Sequence, residues 1–164
     1  MTINIYGCSE NIRRLKETKN PSIGINMFPV FFPKVDYWFF MDENLVPYVT
    51  DNYKGQKIVT TDLVFTKYLQ FTDIKPHMVF RPNIDLFGAI SSATFAIDLA
   101  RILGYKTAVL WGILDGNYEI TKGKLQYKHF YDDEIREMSA KKALQAKRKI
   151  MSYNRKIQVV RGIL

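Results

Sequence analysis

The sequence contains very few of the residues that form disulfides or bind zinc. It has one cysteine, Cys8, and two histidines among its 164 residues. A single cysteine excludes an intrachain disulfide, and two histidines are too few to complete a dense zinc cluster around it. We therefore expect a hydrophobic core to stabilise the fold, and a chain of this length is long enough to bury one.

Long apolar segments are also missing. The longest apolar runs, such as 35–41, are far shorter than the roughly 20 residues that span a bilayer. The first residues alternate between apolar and polar side chains, without the basic and apolar regions of a secretory signal. We therefore expect a soluble, cytoplasmic protein. No internal repeat or linker divides the sequence, so 1–164 is expected to form one domain.

Acidic residues are absent from the last 26 positions. The chain has 24 Lys and Arg against 16 Asp and Glu, a formal charge of +8, and eight of the basic residues lie in 139–164. The rest of the chain is therefore neutral, which disfavours nucleic acid as a partner. We interpret the basic C-terminal helix and strand, about 133–164, as a solvated face. A peripheral contact with an anionic membrane surface stays open, as does a homo-oligomer.

Strand and helix signals alternate along the chain. Strands are predicted over 3–6, 22–26, 35–41, 57–60, 77–81, 106–111 and 157–160. Helices are predicted over 11–19, 43–53, 62–71 and 91–102, with a long helix from 132 or 133 to about 153 and a hairpin within 118–130. This alternation favours an α/β fold with a mainly parallel sheet and helices on both faces.

In such sheets, ligands bind beyond the carboxyl ends of the strands. That rule selects the glycine and polar residues that follow the predicted strands, together with the start of the helix over 91–102. The candidate positions are Gly7, Cys8, Ser9, Asn26, Asp42, Arg81, Ser91, Ser92, Gly112 and Asp115.

Several of these residues suit an anionic ligand. Gly7 permits a close backbone approach, and the helix that begins near Ser91 and Ser92 presents free N–H groups to a phosphate. Arg81 has the charge to bind a phosphate or a carboxylate. Each feature also has a structural interpretation, as a turn, a helix cap or a surface arginine.

Other candidates carry proton or metal chemistry. His129 lies in an aromatic-rich segment and titrates near neutral pH, which suits a general acid or base, although a structural histidine is the alternative. Asp42 fits a ribose hydroxyl, a metal ion or the cap of the next helix. We interpret Cys8 as a packing residue rather than a nucleophile.

Three blocks of the sequence carry a family resemblance. They are Gly7-Cys8-Ser9, Gly24-Ile25-Asn26, and the stretch from Ile90-Ser91-Ser92 through Leu103-Gly104-Tyr105-Lys106 to Leu110-Trp111-Gly112. The arrangement resembles the bacterial lipooligosaccharide sialyltransferases and, more loosely, the 6-hydroxymethylpterin diphosphokinase MptE-like proteins. The resemblance covers about two thirds of the chain.

The resemblance to the sialyltransferases implies a three-layer Rossmann-like transferase that binds a nucleotide-sugar donor without a metal. Nucleotide contacts would come from Gly7, Ser9, Asn26, Asp42, Ser91, Ser92, Gly112 and Asp115. Arg81 would lie near the negative charge of the donor, and His129 would be the counterpart of the family's general base.

Two alternatives to the glycosyltransferase stay open. A diphosphokinase-like enzyme would need Mg²⁺, with Asp42 and Asp115 as its candidate ligands. A non-catalytic nucleotide-binding or interaction module would use the same cavity without chemistry.

Overall fold

The computed structural model describes residues 1–10, 12, 15, 19–81, 91–113, 120–121, 124–152 and 157–162. Its strands are β1 (Thr2–Tyr6), β2 (Ser22–Ile25), β3 (Tyr37–Phe39), β4 (Lys57–Thr61), β5 (Met78–Phe80), β6 (Thr107–Trp111), β7 (Ile120–Thr121), β8 (Lys124–Tyr127), β9 (Arg136–Ser139) and β10 (Gln158–Arg161). Its α-helices are α1 (Phe28–Phe31), α2 (Val46–Asn52), α3 (Asp62–Phe71), α4 (Ser92–Ile102) and α5 (Ala140–Ser152).

Seven of these strands form one parallel sheet in the order β10-β6-β1-β2-β3-β4-β5. The chain builds the sheet outward from β1 to β5 and then returns to place β6 on the other side of β1. Helices cover both faces, so the predicted three-layer, Rossmann-like α/β fold is confirmed. The change of direction lies between β1 and β6, and this is where such sheets bind ligands.

Alternation along the strands explains the two main cores. One face of the sheet buries residues such as Ile3 and Ile5 against Phe95 of α4 and Ile150 of α5. The other face buries a cluster around Trp38 against α2 and α3. Side chains of consecutive strand residues point to opposite faces, so strands covered on both sides need apolar residues throughout.

The helix predicted over 43–53 is divided by Pro47. A short 3₁₀ helix covers Glu43–Leu45, and α2 follows with the proline in its first turn. Proline is tolerated there because the N–H groups of the first turn have no partner within the helix. In α3, Asp62 occupies the first turn and Thr61 takes the cap position.

The long C-terminal helix predicted from 132 or 133 is wrong in its first part. Arg136–Ser139 forms β9, antiparallel to β8, and α5 begins only at Ala140. The Lys124 ammonium donates to the Glu137 carboxylate at 2.7 Å across the two strands. The helical spacing of Ile135 and Met138 is overridden by this pairing with the preceding strand.

Two other predictions fall largely outside the described residues. Most of the helix over 11–19 does, and so does the turn of the predicted hairpin, although its strands β7 and β8 pair antiparallel. Within the described ranges, no helix has both the length and the apolar character needed to cross a bilayer.

Candidate functional site

The turns after β1 and β6 pack directly against each other. The Gly7 N–H donates to the Trp111 carbonyl at 2.8 Å, and the Ser9 N–H donates to the Gly112 carbonyl at 3.0 Å. A Cβ atom at Gly7 would lie only 2.5 Å from the Gly112 carbonyl oxygen. Gly7 is therefore required by the contact between the two turns, and this contact forms the floor of the site.

The segment after β8 crosses over the turn that follows β1. Ser9 and His129 form an isolated antiparallel bridge, and the Phe130 N–H donates to the Cys8 carbonyl at 3.1 Å. Backbone pairing thus brings His129 to the carboxyl end of β1, 120 positions after Ser9 in the chain.

A cavity of about 790 Å³ opens at this edge of the sheet. Its volume lies within the roughly 300–1,000 Å³ range of small-molecule sites. Nine of the residues considered in the sequence analysis line it together, namely Gly7, Cys8, Ser9, Asn26, Asp42, Ser91, Ser92, Gly112 and His129. The carboxyl-edge rule therefore located a real concavity.

Asn26 enters the cavity from a constrained backbone. Its φ of 54° lies in the left-handed region, which few residues other than glycine adopt. Its N–H donates to the Phe39 carbonyl at 2.9 Å, and its carbonyl accepts from the Trp38 indole at 2.7 Å. Both backbone groups are thus held in place, which fixes the direction of the side chain.

Two buried polar atoms of this cavity have no hydrogen-bond partner among the described residues. They are the Ser9 Oγ and the Asn26 Oδ1. Buried polar groups are nearly always paired, because an unmade hydrogen bond is costly away from water.

The two serines at the start of α4 have different positions. Ser91 is the N-cap of a capping box, in which its Oγ accepts from the Thr94 N–H at 3.3 Å and its N–H donates to the Thr94 Oγ1 at 3.4 Å. Its hydroxyl is therefore engaged in closing the helix. Ser92 lies in the first turn and lines the cavity, where first-turn N–H groups lack helical partners.

His129 is held by an aromatic neighbour. Its Nδ1 lies 2.6 Å from the Tyr131 hydroxyl. Burial lowers the pKa of the His129 imidazole, and the positive charge of Arg136 lowers it further. The imidazole is therefore neutral near pH 7, the state that a general base requires.

Cys8 also lines the cavity, as a protonated thiol. Burial raises the pKa of Cys8 to about 12, and its Sγ–H donates to the Ile25 carbonyl at 3.5 Å. A nucleophilic cysteine needs a lowered pKa, so this environment favours the packing interpretation.

Arg81 is not brought to the other candidates. Its Nε donates to the Asp62 carboxylate at 2.8 Å, and its side chain is 86% exposed. It follows β5, the outermost strand, which is four strands from β1 and so roughly 19 Å away at ~4.8 Å per strand. The sequence indicated that Arg81 follows a strand, but not that this strand is at the edge.

The two acids proposed as metal ligands have separate outcomes. Asp42 lines the cavity, and its Oδ1 also caps the 3₁₀ helix by accepting from the Asn44 N–H at 3.0 Å. Asp115 lies outside the described residues. Within the part of the chain that the structure describes, no three His, Cys, Asp or Glu side chains are grouped to hold a metal ion.

Sequence reasoning missed three residues around His129. Tyr127, Lys128 and Tyr131 all line the cavity. The available signal was the aromatic-rich sequence around His129, in which Tyr127 and Tyr131 lie two positions to either side of it.

Comparison with known proteins assigns no family to the chain. No protein-family model matches it, and no curated protein matches it.

Proposed function

We propose that this protein is a transferase that binds a nucleotide-sugar donor in the cavity and uses His129 as its general base. One observation carries the proposal. Beside β1 and β6, where the order of strand addition changes direction, His129 lines the same cavity as the polar residues Ser9 and Asn26, and the lowered pKa of its imidazole favours the neutral form near pH 7. These groups match the needs of a polar ligand whose reaction begins with loss of a hydroxyl proton.

The start of α4 suits the charged part of the donor. Phosphates are stabilised at helix N-termini by free N–H groups and by the helix dipole. Ser92 would add a hydroxyl, because Ser91 already caps the helix. Lys128 is a cation in the lining and would take the electrostatic role that the sequence assigned to Arg81.

Proton transfer would then proceed through His129. In the tautomer whose Nδ1–H donates to the Tyr131 oxygen, Nε2 is the free acceptor. Nε2 takes the proton of an acceptor hydroxyl while that oxygen bonds to the anomeric carbon of the donor sugar. The bond from the sugar to the phosphate breaks, and the nucleotide leaves with the electron pair.

Binding is tested first by thermal denaturation with CMP, UDP, GDP, ATP and their sugar conjugates, with and without Mg²⁺. We expect one nucleotide class to raise the melting temperature without Mg²⁺, because a ligand that binds only the folded state stabilises it. If no nucleotide raises it, the donor assignment is wrong. A shift that requires Mg²⁺ would favour the diphosphokinase-like alternative.

Catalysis is tested with His129→Ala. Transfer should fall by about 10²- to 10⁴-fold, the usual contribution of a general base, while the nucleotide-induced shift is retained. His77→Ala is the matched control, because His77 is exposed and precedes β5 at the amino edge of the sheet. If His129→Ala turns over like the wild type, His129 is not the general base. If the wild type binds a nucleotide but shows no turnover, the binding-module alternative is favoured.

A further inference from the structure

Four rings form a continuous row beside the candidate base, which we call the aromatic strip: Tyr127, His129, Tyr131 and Phe31. Their successive ring centroids are 5.6, 5.0 and 5.4 Å apart. Phe31 and Tyr131 are stacked with an interplanar angle of 7°. The row is therefore part of the fold, and its rings come from the end of β8, the segment after it and α1.

The aromatic strip leads from the cavity to the surface. Tyr127, His129 and Tyr131 line the cavity, whereas Phe31 lies beyond its lining and is 48% exposed. A half-exposed phenylalanine at the end of such a row offers apolar area to a ligand that extends out of the cavity. The strip therefore extends from the candidate base, inside the cavity, to a half-exposed ring outside its lining.

The position of His129 identifies which substrate would lie on the strip. A general base must be within hydrogen-bond reach of the proton that it removes. The acceptor hydroxyl therefore has to approach His129, and the rest of the acceptor must contact the rings on either side.

Building on the proposed function, we infer that the aromatic strip binds a carbohydrate acceptor of at least two sugar units. A sugar ring has a face of C–H groups that packs on aromatic rings and a rim of hydroxyls that forms hydrogen bonds. A purely apolar alcohol would cover the Tyr127 hydroxyl and the Lys128 ammonium without replacing their hydrogen bonds to water, which is unfavourable. The mixed chemistry of the lining thus favours sugar over lipid.

The inference is tested by binding, without turnover. Methyl glucoside, methyl galactoside, cellobiose, maltose and lactose are titrated by calorimetry and by ligand-observed NMR. We expect at least one disaccharide to bind more tightly than both monosaccharides. Phe31→Leu should weaken that binding by about 3- to 10-fold, the equivalent of one aromatic contact.

Matched variants distinguish a loss of sugar contact at the aromatic strip from a general effect of replacing an exposed phenylalanine. Phe71→Leu changes a phenylalanine of similar exposure, 55%, at the end of α3 and should leave sugar binding unchanged. Phe31→Tyr keeps the aromatic face and should bind sugar like the wild type, which also controls for misfolding. Equal binding by Phe31→Leu and Phe71→Leu would overturn the inference.

Other outcomes are equally decisive. If no disaccharide binds, or if cyclohexylmethanol binds with greater dependence on Phe31 than any sugar, the carbohydrate assignment is wrong. Sugar binding without any nucleotide-induced shift would remove the donor proposal and leave the strip standing. A nucleotide shift without sugar binding would do the reverse, so the two failures are distinguishable.

Discussion

The missing side chain of Gly7 determines how closely the two turns of the site approach each other. From the sequence, this glycine is interpreted as an opening for a phosphate. In the structure, the space that its Cβ would fill is occupied by the Gly112 carbonyl and the Ile113 side chain. Its requirement is therefore explained by internal packing, whether or not a ligand also approaches the turn.

Gly7→Ala should lower the free energy of unfolding by about 1–3 kcal/mol, because the added methyl group overpacks the turn contact. Chemical denaturation measures the change. Gly104→Ala is the control, since Gly104 has a φ of 87° with open space around it and should lose only about 1 kcal/mol. A smaller loss for Gly7→Ala than for Gly104→Ala would contradict the packing argument.

His129 predicts the pH dependence of the proposed reaction. Burial, followed by the charge of Arg136, lowers the pKa of His129 below its ordinary value of about 6.5. The neutral base therefore predominates at pH 7 and is lost as the pH falls through the lowered pKa. We expect the acid limb of kcat/KM to have its midpoint below pH 6.5.

The neighbours of His129 allow a check on that midpoint. Arg136→Gln removes a positive charge that disfavours the imidazolium, so the acid limb should move to higher pH. A midpoint above 6.5 in the wild type, or an unchanged midpoint in this variant, would show that another group controls the profile.

Among the elements, α4 was the most predictable. Serines before an alternation of apolar and small residues predict its start, and the helix cap considered for them is confirmed at Ser91, as part of a capping box. Beyond its end, Gly104 has a positive φ, which glycine adopts at little cost. These signals are local, since a cap involves residues three or four positions apart.

The C-terminal helix shows where local signals fail. Ile135 and Met138 repeat at helical spacing, yet Met138 is opposite Leu125 in the β8–β9 ladder. Arg136 adds a bidentate contact with Asp132, at 2.7 and 2.9 Å, just before the strand. A strand of four residues is too short for period-2 alternation to outweigh the helical spacing, and its pairing with the preceding strand β8 is not visible in the local pattern.

The two serines of α4 should respond differently to alanine. Ser91→Ala removes the cap and should lower the free energy of unfolding by about 1 kcal/mol. Ser92→Ala should leave stability unchanged but weaken nucleotide binding, because its hydroxyl is directed to the ligand in the proposed complex. Denaturation and calorimetry on both variants test this, and a larger loss of stability in Ser92→Ala would contradict the assignment of the cap.

For the whole molecule, the order of the strands in the sheet determines which of the predicted site residues lie close together. The alternation of elements indicated a parallel sheet, and the carboxyl-edge rule indicated the correct edge. Neither indicated which strands are neighbours or that β5 lies at an edge of the sheet, so Arg81 was grouped with residues whose cavity it does not line. The bridge from Ser9 to His129 was equally hidden, because it depends on long-range backbone pairing.

The excess positive charge of the molecule is carried partly by exposed side chains of α5. Lys141, Lys142, Lys147 and Arg148 of α5 are exposed, whereas Ala146 is buried and contributes to the cavity lining. This arrangement agrees with the interpretation of the basic helix as a solvated face. Charges in solvent are screened within about 8 Å at physiological salt.

Replacing these four basic residues by glutamine should therefore leave the nucleotide-induced thermal shift unchanged at 0.15 M salt. Retention on heparin should fall, because it depends on the exposed charges. Thermal denaturation and salt-gradient elution measure the two effects. A smaller nucleotide-induced rise in melting temperature would mean that the positive charges of α5 act on the ligand at long range.

The central position of β1 has a consequence for synthesis of the protein. This strand is synthesised before the other described strands of the sheet, yet its neighbour β6 begins only at Thr107, and Ser9, just after β1, bridges to His129 120 positions later. At ~5–20 residues per second, the second flank of β1 stays unpaired for several seconds at least. During that interval the nascent chain exposes an apolar strand edge that other chains can pair with. Until β6 has been synthesised, this edge of β1 therefore stays open to pairing with other chains.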